Sequence, residues 1–347
     1  MASSSSRVKT SLNDALQLKQ LSDDTFGINF PSAFCYDTRA HGGTLISQVH
    51  RAAKLYFAAA KDKPSFPDVT DSKTHFLRPA SRTETTFRVS EIAVGRTSAT
   101  VEVRVLQAGK TTMIALLAMG DFARMRGPDL ATGSRLLPPP SSASIELLET
   151  DNDPNWASLQ LPWQPDGYLR LFSHIKFFLP RRLPHLSLWD HWLTPNDADA
   201  AFRYTNDHLP FVADMTFPMT DNLQPGGGPL GEHARILAVC EAQRADRAAG
   251  RAELSPGPAG KDAVWPQYVC LSLNFNMEVK KKLPDEGVKW LFTRCRARQI
   301  RQGRMDNECT ILDEHGDIVA VVHHVLQVLK ADANPLPKEH AKPSAKM

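Results

Sequence analysis

The sequence has no run approaching 18 consecutive apolar residues, so a transmembrane helix is excluded. It also has no C-x-x-C pair, and its five cysteines stand at 35, 240, 270, 295 and 309. An odd count without that spacing argues against a zinc ribbon, a redox pair and a fully paired disulfide framework. The opening segment MASSSSRVKT has no apolar stretch of the secretory kind, and no N-x-[ST] acceptor occurs anywhere. An excess of one charge is missing too: 41 basic and 38 acidic residues leave a formal +3, too balanced for nucleic acid as the main partner. The 25 prolines follow no G-X-Y period, which rules out a fibre. No G-x-S-x-G elbow is present. These absences leave a protein of the cell interior that binds a small molecule or another protein. Self-association stays open.

With 42% apolar and 23% charged residues, the 347-residue chain has the composition of a globular protein and room for two domains. Phe26, Ile28 and Phe30 alternate over Thr25–Cys35, a strand signal. Leu45, Val49, Ala52, Ala53 and Phe57 then recur at helical spacing behind His41-Gly42-Gly43. Strand signals follow at Lys73–Leu77, Thr85–Ile92, Ala99–Gln107 and Thr111–Phe122, with Gly95-Arg96 and Ala108-Gly109 as turns. One strand, one long helix and an antiparallel meander make an α+β unit, the hot-dog arrangement.

Residues 126–165 are rich in proline and read as a linker wrapping the surface. The first pattern then returns. Leu169–Leu179 and Leu186–Leu193 read as strands, and Leu209–Leu223 as a helical stretch. Tyr268–Val279, Lys289–Gln299, Asn307–Asp313 and Ile318–Leu329 form a second meander. Gly95-Arg96 recurs as Gly303-Arg304 and Gly109 as Gly316, at nearly one offset, which marks an internal repeat. The expected architecture is a double hot-dog, two curved antiparallel sheets each wrapped around a long helix. Its divisions are a flexible start at 1–20, one unit at 21–125, the linker, a second unit at 166–333 with an insertion at 225–264, and a tail at 334–347.

HGGTLISQVHRAA and HFLRPA resemble the first half of the acyl-CoA thioesterase II family. LPFVADMTFP, LNFNMEVKKKLPDEGVKWLF and RQGRMD…VAVVHHV resemble its fungal thioesterase-like branch. The likeness spans roughly residues 20–335 and implies cleavage of an acyl-CoA to a carboxylic acid and CoA, by water, without a covalent intermediate or a cofactor. In the family pattern an Asp, a Ser or Thr and a Gln hold the attacking water. Residue by residue, these fall on Asp214, Ser272 and His324, so the last position departs from the pattern. Histidine there is chemically apt, because it changes protonation near neutral pH.

Structural roles compete with each assignment: Asp214 as a turn cap, Ser272 at a strand edge, and one of His323 and His324 in the core. His41, Gly42 and Gly43 are the candidate substrate-binding segment, since free N–H groups at a helix start suit a carbonyl oxygen or an anion. The competing role is a tight lead-in to the helix.

Gly226-x-Gly228-x-x-Gly231 matches the dinucleotide fingerprint, but it carries Pro225 and Pro229 and follows no strand. It reads as a loop; the surrounding insertion at 225–264 reads as a solvated excursion, with a charged helix covering the site mouth as the alternative. Lys280–Lys282 and the arginines from 294 to 304 could meet coenzyme A phosphates, although charged strand faces are more often solvated. Ala345-Lys346-Met347 resembles a weak peroxisomal address, so cytosol and peroxisome are both expected. A rival function is a hot-dog cyclase, dehydratase or acyl-binding module of fungal secondary metabolism.

Overall fold

The computed structural model describes residues 9–59, 64–165, 169–223, 231–251, 253–254 and 268–330. Residues 1–8 of the flexible start, 226–230 of the glycine motif, 255–264 of the insertion, and the tail 334–347 with Ala345–Met347 lie outside the described residues. No helix among those described is long and apolar enough to cross a membrane.

Helix α1 (Leu12–Ala15) starts at Ser11, whose side chain accepts the Asp14 N–H. Strands β1 (Lys19–Gln20) and β2 (Thr25–Asn29) follow, then a small ribbon of β3 (Cys35–Tyr36) and β4 (Arg39–Ala40). The ribbon leads into helix α2 (Gly42–Ala59). A meander completes the first half: β5 (Asp68–Phe76), β6 (Glu84–Val94), β7 (Ala99–Gln107) and β8 (Lys110–Gly120). Leu45, Ile46, Val49, Ala53 and Phe57 of α2 are buried against this sheet. Val101, Val103 and Val105 of β7 are fully buried, while Glu102 and Arg104 face away. Each such apolar side chain contributes about 1.5–3 kcal/mol by leaving water.

The second half contains α3 (Ile145–Glu149), β9 (Trp156–Gln160), β10 (Ile175–Pro180) and β11 (Leu188–Pro195). Helices α4 (Leu209–Asp214), α5 (Met219–Asn222) and α6 (Gly231–Ala248) follow. Strands β12 (Tyr268–Val279), β13 (Leu291–Arg301), β14 (Arg304–Leu312) and β15 (Ile318–Lys330) end the described chain.

One thirteen-stranded antiparallel sheet joins both halves, in the order β1-β2-β6-β7-β8-β5-β12-β15-β14-β13-β11-β10-β9. β5 and β12 pair at its centre, from Asn274 opposite His75 to Glu278 opposite Asp71. On either side of that seam the meanders run outward in matching order, as the repeated turn residues imply. The pairing also removes two exposed sheet edges.

Three expectations need correction. The second-half helix is not continuous, because α4 stops at Asp214 and α5 begins only at Met219. Pro218 accounts for the break, since it disfavours helical backbone at the residue before it. The proline-rich segment is not all linker: Trp156–Gln160 is the edge strand of the sheet. Leu148 and Trp156 pack with Phe178, Trp290 and Phe292 in a satellite core. The insertion is no solvated excursion over 231–248, for α6 buries Ile236, Val239 and Cys240. Gln243 of α6 accepts the Gln160 N–H at 3.1 Å and donates to the Gln160 carbonyl at 3.0 Å. A side chain thereby closes the sheet edge where no further strand pairs.

Candidate active site

His41 precedes α2, and its ring caps the helix: Nδ1 accepts the Thr44 N–H at 3.2 Å and lies 3.0 Å from Thr44 Oγ1. Nδ1 must therefore carry the lone pair, and the neutral ring bears its proton on Nε2. That Nε2 stands 3.1 Å from Asp214 Oδ2, off the hydrogen-bond axis but close enough to hold a negative charge. Asp214 ends α4, which packs directly on α2. The close approach depends on Gly43, where a Cβ would lie 2.5 Å from the Pro210 carbonyl oxygen and 2.7 Å from Asp214 Cβ. The Gly43 N–H in turn donates to Asp214 Oδ2 at 2.7 Å.

Only 14% of the Asp214 side chain is exposed. Burial alone raises a carboxyl pKa, but His41, His324 and the Gly43 N–H outweigh it and hold Asp214 below the usual carboxylate range. It is an anion at neutral pH.

Ser272 and His324 come from neighbouring strands, β12 and β15. His324 is buried and His323 exposed, which assigns the core position to His324. The ladder slips between Ser272 and Asn274, leaving Leu273 as a bulge: Ser272 pairs with Leu326, whereas Phe275 pairs with His324. Without the bulge, positions 272 and 275 would point to opposite faces. With it, Ser272 shares the inner face with His324, and its Oγ lies 2.9 Å from His324 Nε2. His324 Nδ1 faces Asp214 Oδ1 at 3.7 Å. Burial pushes the His324 pKa down, and the opposing pull of Asp214 does not cancel it. The ring is neutral at pH 7.

These groups stand at the wall of a cavity of about 340 Å³ between the halves. Tyr36, Phe76, Phe172 and Phe217 give it an apolar lining, and Gly42 faces into it. A Cβ on Gly42 would lie 3.1 Å from Asp214 Oδ2, 3.3 Å from Phe76 Cζ and 3.4 Å from Ser272 Oγ. The missing side chain at Gly42 keeps the wall between carboxylate and hydroxyl clear and leaves both groups facing the cavity.

All six candidate residues gather here. Gly43 serves by packing rather than by facing the cavity. The basic run stays away: Lys281 pairs with Asp313 and Asp317, Lys282 with Asp285, and Arg298 with Glu308. Arg294 is buried against Asp190 at 2.6 Å. Arg39 and Arg78 stand at the pocket instead, and Arg78 belongs to the HFLRPA motif that carries part of the resemblance. Cys270 also lines the cavity, but burial lifts its thiol pKa to about 12, so it is no thiolate. Among the described residues no group of three or more His, Cys, Asp or Glu is arranged to hold a metal ion.

A carboxylate, a hydroxyl and an imidazole thus meet around a helix start, at the wall of an apolar cavity against an antiparallel sheet. Residues 30–123 match the acyl-CoA thioesterase N-terminal domain and residues 139–328 the C-terminal domain. The chain belongs to the acyl-CoA thioesterase family. It is 25% identical to the thioesterase-like protein TwmA of Talaromyces wortmannii, over 93% of each chain. Solved structures share its fold, among them the following two. A hot dog fold protein of Alicyclobacillus acidocaldarius superposes with TM-score 0.65 at 12% identity, covering 95% of this chain and 100% of that one. The acyl-CoA thioesterase II TesB2 of Mycobacterium marinum gives 0.56 at 15% identity, covering 93% and 100%.

Proposed function

We propose that this chain hydrolyses acyl-CoA thioesters to a carboxylic acid and CoA, as two hot-dog units sharing one site. The observation that carries this reading is the cavity wall at Gly42, where an anionic carboxylate, a hydroxyl and a buried imidazole meet. An acyl group in the cavity against that wall has its oxygen near the first N–H groups of α2. The Gly43 and Thr44 N–H groups are taken by Asp214 and His41, while Gly42 has no protein acceptor among the described residues. The Gly42 N–H is thus the donor for the developing oxyanion. The acyl chain lies along Phe76, Phe172 and Phe217. CoA extends outward past Arg39 and Arg78, whose charges suit its phosphates.

The resemblance implies direct attack by water without a covalent intermediate. Steady CoA release from an acyl-CoA panel, read with a thiol reagent, tests the reading. The rival, a non-hydrolytic cyclase, dehydratase or acyl-binding module of fungal secondary metabolism, draws support from histidine at position 324. Saturable acyl-CoA binding without CoA release would favour it. Cytosol and peroxisome remain the expected compartments, and deleting Ala345–Met347 behind an N-terminal fluorescent protein separates them.

A further inference from the structure

We propose that Ser272 is a nucleophile: its Oγ takes the acyl group from the thioester with His324 as base and Asp214 behind the ring, and water then releases the acid. This inference rests on the hydrolase reading above and replaces its direct attack with two steps.

The argument is the arrangement of three side chains and the tautomer it favours. His324 turns Nδ1 toward Asp214 Oδ1 at 3.7 Å, and the carboxylate favours the proton on that nitrogen. Nε2 keeps its lone pair, 2.9 Å from Ser272 Oγ, so the hydroxyl donates to it. In that tautomer the serine hydroxyl donates to a neutral imidazole with an anion on the far side of the ring, the arrangement of an activated nucleophile. Glutamine, which the family resemblance places at this position, cannot accept that proton for catalysis. The bulge at Leu273 adds a second, independent observation, because it turns Ser272 onto the face of His324 and the cavity. Ser272 lines the same cavity as Gly42, where the acyl group is proposed to lie.

In the first step Oγ bonds to the carbonyl carbon and its proton passes to His324 Nε2. The carbonyl π pair moves to oxygen beside the Gly42 N–H. On collapse the C–S bond breaks with its pair on sulfur, and the thiol leaves with the proton from His324. In the second step water bonds to the ester carbon and gives a proton to His324, the C–Oγ bond breaks, and Oγ recovers that proton. No other reactant is needed. The acyl-serine is open to other acceptors, so a small alcohol or amine competes with water.

The test uses the full chain with one acyl group on two thiols, CoA and N-acetylcysteamine, with methanol added. A common acyl-serine gives the same methyl ester to acid ratio from both thioesters. Acid-quenched protein should carry the acyl mass on the peptide containing Ser272, and Ser272→Ala should lose it. Ser272→Ala and His324→Gln should each slow CoA release by about 10²–10⁴-fold, with melting curves showing that both variants fold. Steady CoA release with no adduct, a ratio that changes with the thiol, and His324→Gln at the parental rate would overturn the serine step and leave the hydrolase reading intact. Failure of every acyl-CoA to release CoA or leave an adduct would overturn both.

Discussion

A carboxyl with 14% of its side chain exposed should hold its proton more tightly than one in water; Asp214 does the opposite. Three groups from three elements produce that: His41 before α2, the Gly43 N–H within it, and His324 on β15. Asp214→Asn removes the charge and keeps the shape. Turnover should fall by two to four orders of magnitude while the melting curve stays near the parental one. A parental rate of CoA release would show that the site lies elsewhere. Gly42 offers a second residue-scale test. Alanine there puts a methyl between Asp214 and Ser272 without meeting backbone. Gly42→Ala should therefore lower kcat/KM at least 10-fold with little change in stability, measured by kinetics and thermal melts on one preparation. At this scale Asp214, Ser272 and His324 are legible in the sequence through the resemblance alone. Alternation by itself misplaces Ser272, because a one-residue bulge leaves no mark in a run such as YVCLSLNFNMEV.

At the scale of elements, the close contact of α2 and α4 sets the distance between His41 and Asp214. Gly43 permits it, and a Cβ there would press on backbone as well as on Asp214. Backbone gives way less easily than a flexible side chain. Gly43→Ala should destabilise the fold by about 1–3 kcal/mol and pull Asp214 from its partners. Denaturant melts would read this as a lower midpoint, in contrast to Gly42→Ala. Equal stability of the two variants would mean that α4 shifts freely.

The elements that periodicity reveals well are those with one wet face, such as α2 and the two meanders. Those it misses have other determinants. α6 hides because its buried stripe of Ile236, Val239, Cys240 and Gln243 is thin within an Ala- and Arg-rich stretch. β9 hides because the prolines around it suggest irregular chain. The break after α4 follows from Pro218, which the sequence displays but a hydrophobic period smooths over.

Across the whole molecule, the fold buries several histidines, and they set how it responds to acid. Burial pushes His50 and His208 down to about 4 and His174 and His191 down to about 3. His174 stacks on Phe34 at 4.4 Å and His191 on Trp189 at 5.5 Å. In the unfolded chain each histidine takes its proton near pH 6.5. Between that value and the folded one, the unfolded state holds more protons than the native state, so stability falls as pH falls. Above about pH 7 neither state is protonated and these groups have no effect. Each adds at most about 1.4 kcal/mol per pH unit within its window, and four together approach roughly 5. Against a total of about 5–15 kcal/mol, two pH units of that slope, about 10 kcal/mol, remove much of a domain's stability. Asp207, held below the usual carboxylate range by Lys54, His208 and Arg51 against the effect of burial, adds to the loss only below about pH 4. The midpoint of thermal unfolding should therefore be flat from pH 7 to 8 and drop steeply from pH 6 to 4.5. His174→Phe should make the fall shallower by one proton. A midpoint that holds steady down to pH 5 would mean that these histidines are charged within the fold.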